Sequence, residues 1–165
     1  MRDIYEYASV CMELLDDLGI EYGRVIRFDI NTRAKKRWGQ CKIEKYGYSI
    51  NINADLLDEE NDSDGLTETI IHELLHTIPG CMNHGKKWKS MAEKVNQAYG
   101  LNIARCSSAE DKGVTKRDIN KVEYKYILQC DSCGNTYGRI RMSNAVKFPK
   151  AYRCGCCGGE LKRIK

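Results

Sequence analysis

The stretch "IIHELLHTIPGCMNHGKKW", residues 70–88, contains every histidine of the chain: His72, His76 and His84. It opens on a His-Glu-x-x-His run at 72–76. Helical positions four apart share a face, so His72 and His76 can grip one ion, and Glu73 can reach a water beside it. The flanking Ile70, Ile71, Leu74, Leu75 and Ile78 make this a buried helix, where a chance match would sit on an exposed polar segment. A catalytic zinc takes three protein ligands and keeps one position open. Pro79-Gly80 ends the helix, and His84 arrives at the head of the next one as the third ligand. Glu93, further along that helix, is the rival for this place. A closed structural clip has no need of a carboxylate beside its ligands, so Glu73 points to a catalytic site.

Working outward, Ile4, Ala8, Cys11, Leu15 and Leu18 form one apolar helical face over residues 3–18, closed by Gly19. Residues 24–30, 37–43 and 48–54 alternate or favour β-branched side chains and read as three strands, the last pair joined through "EKYGY". Residues 58–65, "DEENDSDG", read as an acidic loop before a helix from Leu66 to Ile78. A further helix spans Lys86 to Tyr99, with Trp88, Met91, Ala92, Val95 and Tyr99 as its face. Helices packed on a short, mostly antiparallel sheet make an α+β core over residues 1–105. Residues 106–122 are polar and read as a linker, leaving 123–165 as a separate module.

Cysteine spacing defines that module. "LQCDSCGNTY" and "YRCGCCGGEL" give Cys130-x-x-Cys133 and Cys154-x-x-Cys157. Each pair forms a knuckle whose two sulfurs fit one tetrahedral ion, which is a zinc-ribbon pattern. Cys156 breaks the knuckle spacing and stays outside the set. A domain of roughly 40 residues rarely stands on its own core, so a structural zinc is expected to hold it folded.

Charge is divided unevenly. Residues 1–111 hold 14 Lys and Arg against 19 Asp and Glu, a balance of −5, whereas 112–165 hold 13 against 4, a balance of +9. An acidic body with a basic module suits anionic partners. Arg139, Arg141, Lys147, Lys150 and Arg153 are the candidate nucleic-acid contacts, interleaved with Tyr124, Tyr126, Tyr137, Phe148 and Tyr152. Bases of a single strand can stack on such rings between phosphate-binding cations. The plainer reading makes most of these rings the small core of the ribbon. No apolar run of about 18 residues exists, and the acidic start of the chain is unlike a signal peptide. A cytoplasmic protein, with its nucleic-acid partner at the nucleoid, is the expectation.

"HELLH" followed by "NHGKKW" resembles the SprT-like metalloprotease domain of bacterial SprT proteins and eukaryotic Spartan. The family pattern is His-Glu-x-x-His, a short variable loop, then His-Gly-x-x-aromatic, matched here by His84, Gly85 and Trp88. "KRWGQC" at 36–41 is similar to the family's Arg-Trp-Gly strand, with Gln40 departing where a small residue is expected. Many SprT-like proteins also carry a C-terminal ribbon. The resemblance implies a zincin-like fold, zinc on His72, His76 and His84, Glu73 as the catalytic residue and, by analogy with Spartan, proteins crosslinked to DNA as substrates. Two zinc ions are then expected, one catalytic and one structural. A peptide substrate would lie along an edge strand, taken as residues 48–54. The competing reading is a nucleic-acid-binding or regulatory zinc protein that keeps an inactive peptidase fold.

Overall fold

Helix α1 (Ile4–Asp17) buries Ile4, Ala8, Cys11 and Leu15 on the expected face, and the Asp3 side chain caps it by accepting the Tyr5 N–H at 2.8 Å. The structure, a computed structural model, describes residues 1–114 and 124–165. These fall into two compact units, within Met1–Lys116 and Arg117–Lys165.

In the first unit, strands β1 (Val25–Asn31), β2 (Gly39–Glu44) and β3 (Gly47–Asn53) form a mixed sheet in the order β1-β3-β2. β3 pairs parallel with β1, placing Phe28 beside Ile50, and antiparallel with β2, placing Gly39 beside Ile52. The stretch 48–54 was expected to be the edge that receives substrate. It is the central strand, with its backbone groups committed on both sides. Ile50, Ile52 and Asn53 are buried, as suits a strand sandwiched between two others. The edges are β1 and β2.

Helix α2 (Ser63–His76) starts three residues earlier than the apolar pattern suggests. The last acidic residues of the expected loop form its first turn, and Asp62 caps it by accepting the Asp64 N–H at 3.1 Å. α2 touches α1, β2, β3 and helix α3 (Lys86–Tyr99), and is the central element of the unit. Leu66, Ile70, Ile71, Leu74 and Leu75 are fully buried around it, packed with Leu15, Ile50, Ile52, Trp88 and Val95. A rigid helix in the middle of the core is what fixes the two histidines at its end.

The expected linker begins within this unit. Ile103, Lys112 and Val114 are buried, and Ala109 packs against the core. A few well-spaced side chains hold an otherwise polar stretch down, so the boundary expected at 105 is displaced to beyond 114. Residues 115–122 of the expected linker, and residue 123, lie outside the described residues.

In the second unit, β4 (Tyr126–Cys130) lies between β5 (Thr136–Arg139) and β6 (Leu161–Arg163), both antiparallel to it. Ahead of the second knuckle lie a short helix, α4 (Asn144–Lys147), and a 3₁₀ turn at Pro149–Ala151, after which Arg153 bridges to Glu160. Pro149 cannot donate to a ladder, which favours the turn. The core is small: Leu128, Cys130, Cys154 and Leu161. Among the described residues, no helix is long and apolar enough to cross a membrane.

Two candidate metal centres

The end of α2 brings His72 and His76 together with Nε2 atoms 3.2 Å apart. The chain turns at Pro79-Gly80 and places the His84 Nε2 3.0 Å from that of His72. Lys87 Nζ secures this turn by donating to the Pro79 carbonyl at 2.8 Å. Glu93 stays outside the cluster, exposed on α3 beside Gln97.

The second ring nitrogens show what the cluster fits. His72 Nδ1 lies 3.1 Å from the Ala104 carbonyl and His76 Nδ1 lies 2.7 Å from the Cys81 carbonyl. A carbonyl only accepts, so both Nδ1 atoms carry the proton and both Nε2 lone pairs face inward. Lone pairs converging this closely repel unless a cation sits between them. Tetrahedral zinc with bonds of about 2.0–2.1 Å sets its nitrogens roughly 3.3 Å apart, close to the spacing seen. Burial, the neighbouring imidazoles and the charge of Lys112 push His72 down to about 3. Burial, His76, Arg105 and Lys89 push His84 to about 4. Burial lowers His76 as well, so all three imidazoles are neutral near pH 7, the form that binds metal. Trp88 closes the site from behind, its ring 4.7, 5.6 and 4.6 Å from the rings of His72, His76 and His84.

Glu73 is the neighbour of His72 on α2 and only 6% exposed. Its side chain lies against the bare Cα of Gly39, at the start of β2. Burial pushes its carboxyl up to about 7, opposed by the Cys41 backbone N–H and the charge of Arg37. His72 and Glu73 open onto a cleft of about 320 Å³ between residues 36–39 and 104–107, with Arg37 and Arg105 on its walls. Asn53 Nδ2 shapes one wall by donating to the carbonyls of Ala34 and Arg37 at 2.9 and 3.0 Å. The site thus joins three neutral imidazoles, a buried carboxyl and an open side.

The second cluster joins the two knuckles of the ribbon. Cys130 and Cys157 Sγ are 3.5 Å apart, as are Cys133 and Cys154, and all four sulfurs lie within 4.8 Å of one another. A disulfide needs about 2.05 Å. Zinc with Zn–S of about 2.3 Å spaces its sulfurs by roughly 3.8 Å. Burial opposes charge on Cys154, but the Tyr137 hydroxyl at 3.0 Å and the backbone N–H groups of Cys157 and Cys156 draw the thiol down to about 5. Cys156 stays outside the four-sulfur set and accepts from Asn135 Nδ2 at 2.8 Å.

Arg139, Arg141, Lys147, Lys150 and Arg153 are all exposed on the ribbon. Arg153 also faces Glu160 at 3.7 Å. The aromatics divide. Tyr124, Tyr126 and Tyr137 are half-buried, but Phe148 and Tyr152 are 64% and 42% exposed, so these two are not core.

Sequence reasoning missed the carbonyls of Ala104 and Cys81, because a backbone acceptor leaves no mark in residue type. It also missed that Gly39 makes room for Glu73. A glycine opening a strand, where it costs entropy and packs nothing, was the available signal.

A model described as the SprT-like family matches residues 12–107, and one described as the SprT-like zinc ribbon domain matches residues 124–165. Among curated proteins, the chain is 50% identical over 155 residues to "Protein SprT-like" of Oceanobacillus iheyensis, covering 92% of this chain and 93% of that one. It is 26% identical over 160 residues to the protein of the same name from Bacillus velezensis, covering 92% and 95%. The Streptococcus thermophilus protein of that name is 30% identical over 110 residues, covering 64% and 63%.

Proposed function

We propose that this chain, which belongs to the SprT-like family, is a zinc-dependent endopeptidase working from His72, His76, His84 and Glu73. The observation that carries the reading is the buried Glu73 carboxyl next in the chain to a cluster of three imidazoles whose Nε2 atoms converge, with His72 and Glu73 on the wall of an open cleft. A metal held only for structure needs neither the carboxyl nor the cleft.

Zinc bound there supplies a Lewis acid and makes a water acidic enough to attack at neutral pH. Glu73 takes the proton from the attacking water and hands it to the leaving amine. Burial favours holding that proton between the two acts, while the charge of a bound zinc would favour releasing it, so Glu73 can serve first as base and then as acid. Arg37, on the cleft wall, suits the negative charge that develops on the carbonyl oxygen. The peptide runs extended along the free edge of β2, whose first residue, Gly39, touches Glu73.

The second zinc, on Cys130, Cys133, Cys154 and Cys157, holds the ribbon folded. The exposed Arg139, Arg141, Lys147, Lys150 and Arg153, with Phe148 and Tyr152 beside them in the chain, suit a nucleic-acid partner, preferentially single-stranded. The substrates are then proteins held on or crosslinked to DNA, in the cytoplasm at the nucleoid. Cleavage of casein and of a histone, with and without single-stranded DNA, tests both levels. Cleavage lost on chelation and restored by zinc is expected, with DNA stimulating it. A fully metallated protein that cleaves neither substrate favours the reading as an inactive, regulatory zinc protein.

A further inference from the structure

We propose that the buried ion pair between Glu68 and Lys112 is a positioning device for the histidine site. It clamps segment 101–114 onto α2 so that the Ala104 carbonyl holds His72 in place. The inference rests on the zinc reading above.

Lys112 Nζ lies 2.7 Å from Glu68 Oε2, with the two side chains only 5% and 8% exposed. In every other ion pair among the described residues, both partners are at least 34% exposed. The other Glu68 oxygen accepts the Asn102 N–H at 2.7 Å. One carboxylate thus gathers two points of the segment ten residues apart. One turn toward the N-terminus of α2, Gly65 gives the Lys112 backbone room that any Cβ would fill. One turn toward the C-terminus, His72 Nδ1 meets the Ala104 carbonyl at 3.1 Å. Gly65, Glu68 and His72 are spaced three and four apart, on one face of the helix. Each successive turn of that face seats a part of the same segment.

The segment is also a wall of the cleft, through Arg105 and Ser107. Trp38 Nε1 donates to the Ser107 carbonyl at 3.2 Å from the opposite side. Asn96 adds a paired bond to Ile103, at 2.8 and 3.1 Å. A buried ion pair is seldom more stabilising than apolar side chains of the same shape. What it supplies is register. A carboxylate with two partners in fixed directions does not tolerate a slip, whereas an apolar contact does. A slip of one residue would take the Ala104 carbonyl away from His72. The proton on Nδ1 sets the ring's tautomer and tilt, and through them the aim of Nε2. Neither Glu68 nor Lys112 belongs to the histidine cluster, and Lys112, although it reaches the cleft wall, is tied up by Glu68, so they are positioning residues.

The test compares the full-length wild type with Glu68→Gln and Lys112→Met. Zinc affinity of each site is measured by chelator competition, and exchange of the imidazole Nδ1 protons by NMR. Each variant is expected to weaken the histidine site by about tenfold or more, the usual effect of losing an outer partner, and to leave the cysteine site unchanged. The His72 Nδ1 proton exchanges faster in both variants. The His76 Nδ1 proton, held by Cys81, does not. Unchanged affinity and exchange would overturn the proposal. So would equal acceleration of both protons, because a pair that only stabilises the fold loosens everything alike. Should neither variant fold, exchange in the wild type decides: the Asn102 N–H and the His72 Nδ1 proton open together if the clamp is one unit, and separately if it is not. Absence of zinc from the wild-type histidine site would refute the zinc reading instead, and exchange in metal-free protein would still report on the clamp.

Discussion

Gly39 and Glu73 are in contact across the cleft floor: a methyl group on Gly39 would lie 2.5 Å from Glu73 Oε1 and 2.9 Å from its carboxyl carbon. The first residue of an edge strand therefore sets where the carboxyl can rest. Gly39→Ala should leave the zinc ligands untouched and push the Glu73 carboxyl aside. A misplacement of about 1 Å in a catalytic group can cost 10²-fold in rate. We expect kcat to fall by about that factor with histidine-site zinc retained. Full turnover in a zinc-loaded Gly39→Ala protein would show that Glu73 does not work from this position.

Glu73→Gln tests the same group by chemistry. The amide is nearly isosteric but cannot take a proton from water. Both metals and the fold should persist, while peptide cleavage drops by about 10²–10⁴-fold, the usual cost of losing a general base. Wild-type turnover in this variant would place any activity elsewhere in the chain.

The two metal clusters predict a ratio near two zinc ions per chain. The histidine site has an open side, so a chelator should empty it first and abolish activity while the ribbon stays folded. Cys130→Ser should lower the ratio to near one and unfold the ribbon, whose buried core is little more than Leu128, Cys130, Cys154 and Leu161. A ratio of one in the wild type, unchanged by Cys130→Ser, would dismiss the structural zinc.

How much of this was legible in the sequence depends on how local each signal is. The α1 face, the span of α3 from Lys86 to Tyr99 and both cysteine knuckles follow from spacing within a few residues, and the structure has them where spacing puts them. Strand order is not local. Nothing within residues 48–54 tells that β1 returns to lie parallel beside them, so the substrate edge was assigned to the wrong strand. Lys112 is the same lesson in charge. Read alone it belongs to a basic tail, but its partner, Glu68, is 44 residues away. The imidazole cluster was legible because His72, His76 and His84 lie within one helix and the turn after it. The carbonyls that orient two of them were not.

Acid should loosen the metal-free protein, with opposing contributions. His72 and His84 fall from 6.5 to about 3 and 4 on folding, and His76 is lowered too, all chiefly by burial. Above pH 6.5 these rings are neutral in both states and contribute nothing. As pH falls below 6.5, the unfolded chain takes up protons that the folded one refuses, so stability drops. Glu73 runs the other way. Its carboxyl rises from 4.5 to about 7 on folding, so the folded state holds an extra proton between those values and gains as pH falls. Two strongly lowered imidazoles, with His76 lowered beside them, outweigh one carboxyl, giving a net loss below 6.5 that ends once His84 and His72 take up protons in the folded state, near 4 and 3. Glu73→Gln removes the offset and should steepen the loss between 6.5 and 4.5. Urea midpoints of chelator-treated protein across this range check it; a midpoint that rises steadily toward acid would contradict the burial of the imidazoles.

The last prediction concerns nucleic acid. Residues 124–165 hold nine Lys and Arg against two Asp and Glu, a balance of +7. Binding by such a module is phosphate contact, weakly selective for sequence and steeply weakened by salt. Each contact adds roughly 0.7 to the log–log salt slope on a single strand, so four or five contacts give a slope near 3. A shortened protein isolates the effect, but the cut must follow Val114. Ending the chain at 111 would remove Lys112 and leave Glu68 buried without its partner, a loss of about 3–5 kcal/mol that would be mistaken for a role of the ribbon. A protein ending after residue 116 should keep the histidine site, its zinc and casein cleavage, and lose the affinity for a labelled single strand. Fluorescence anisotropy of both proteins across a salt series measures this. Replacing Arg139, Arg141 and Lys147 together should shallow the slope by about two units without emptying the cysteine site. Equal binding by the shortened protein would move the nucleic-acid surface to the first unit, where Arg37 and Arg105 line the cleft.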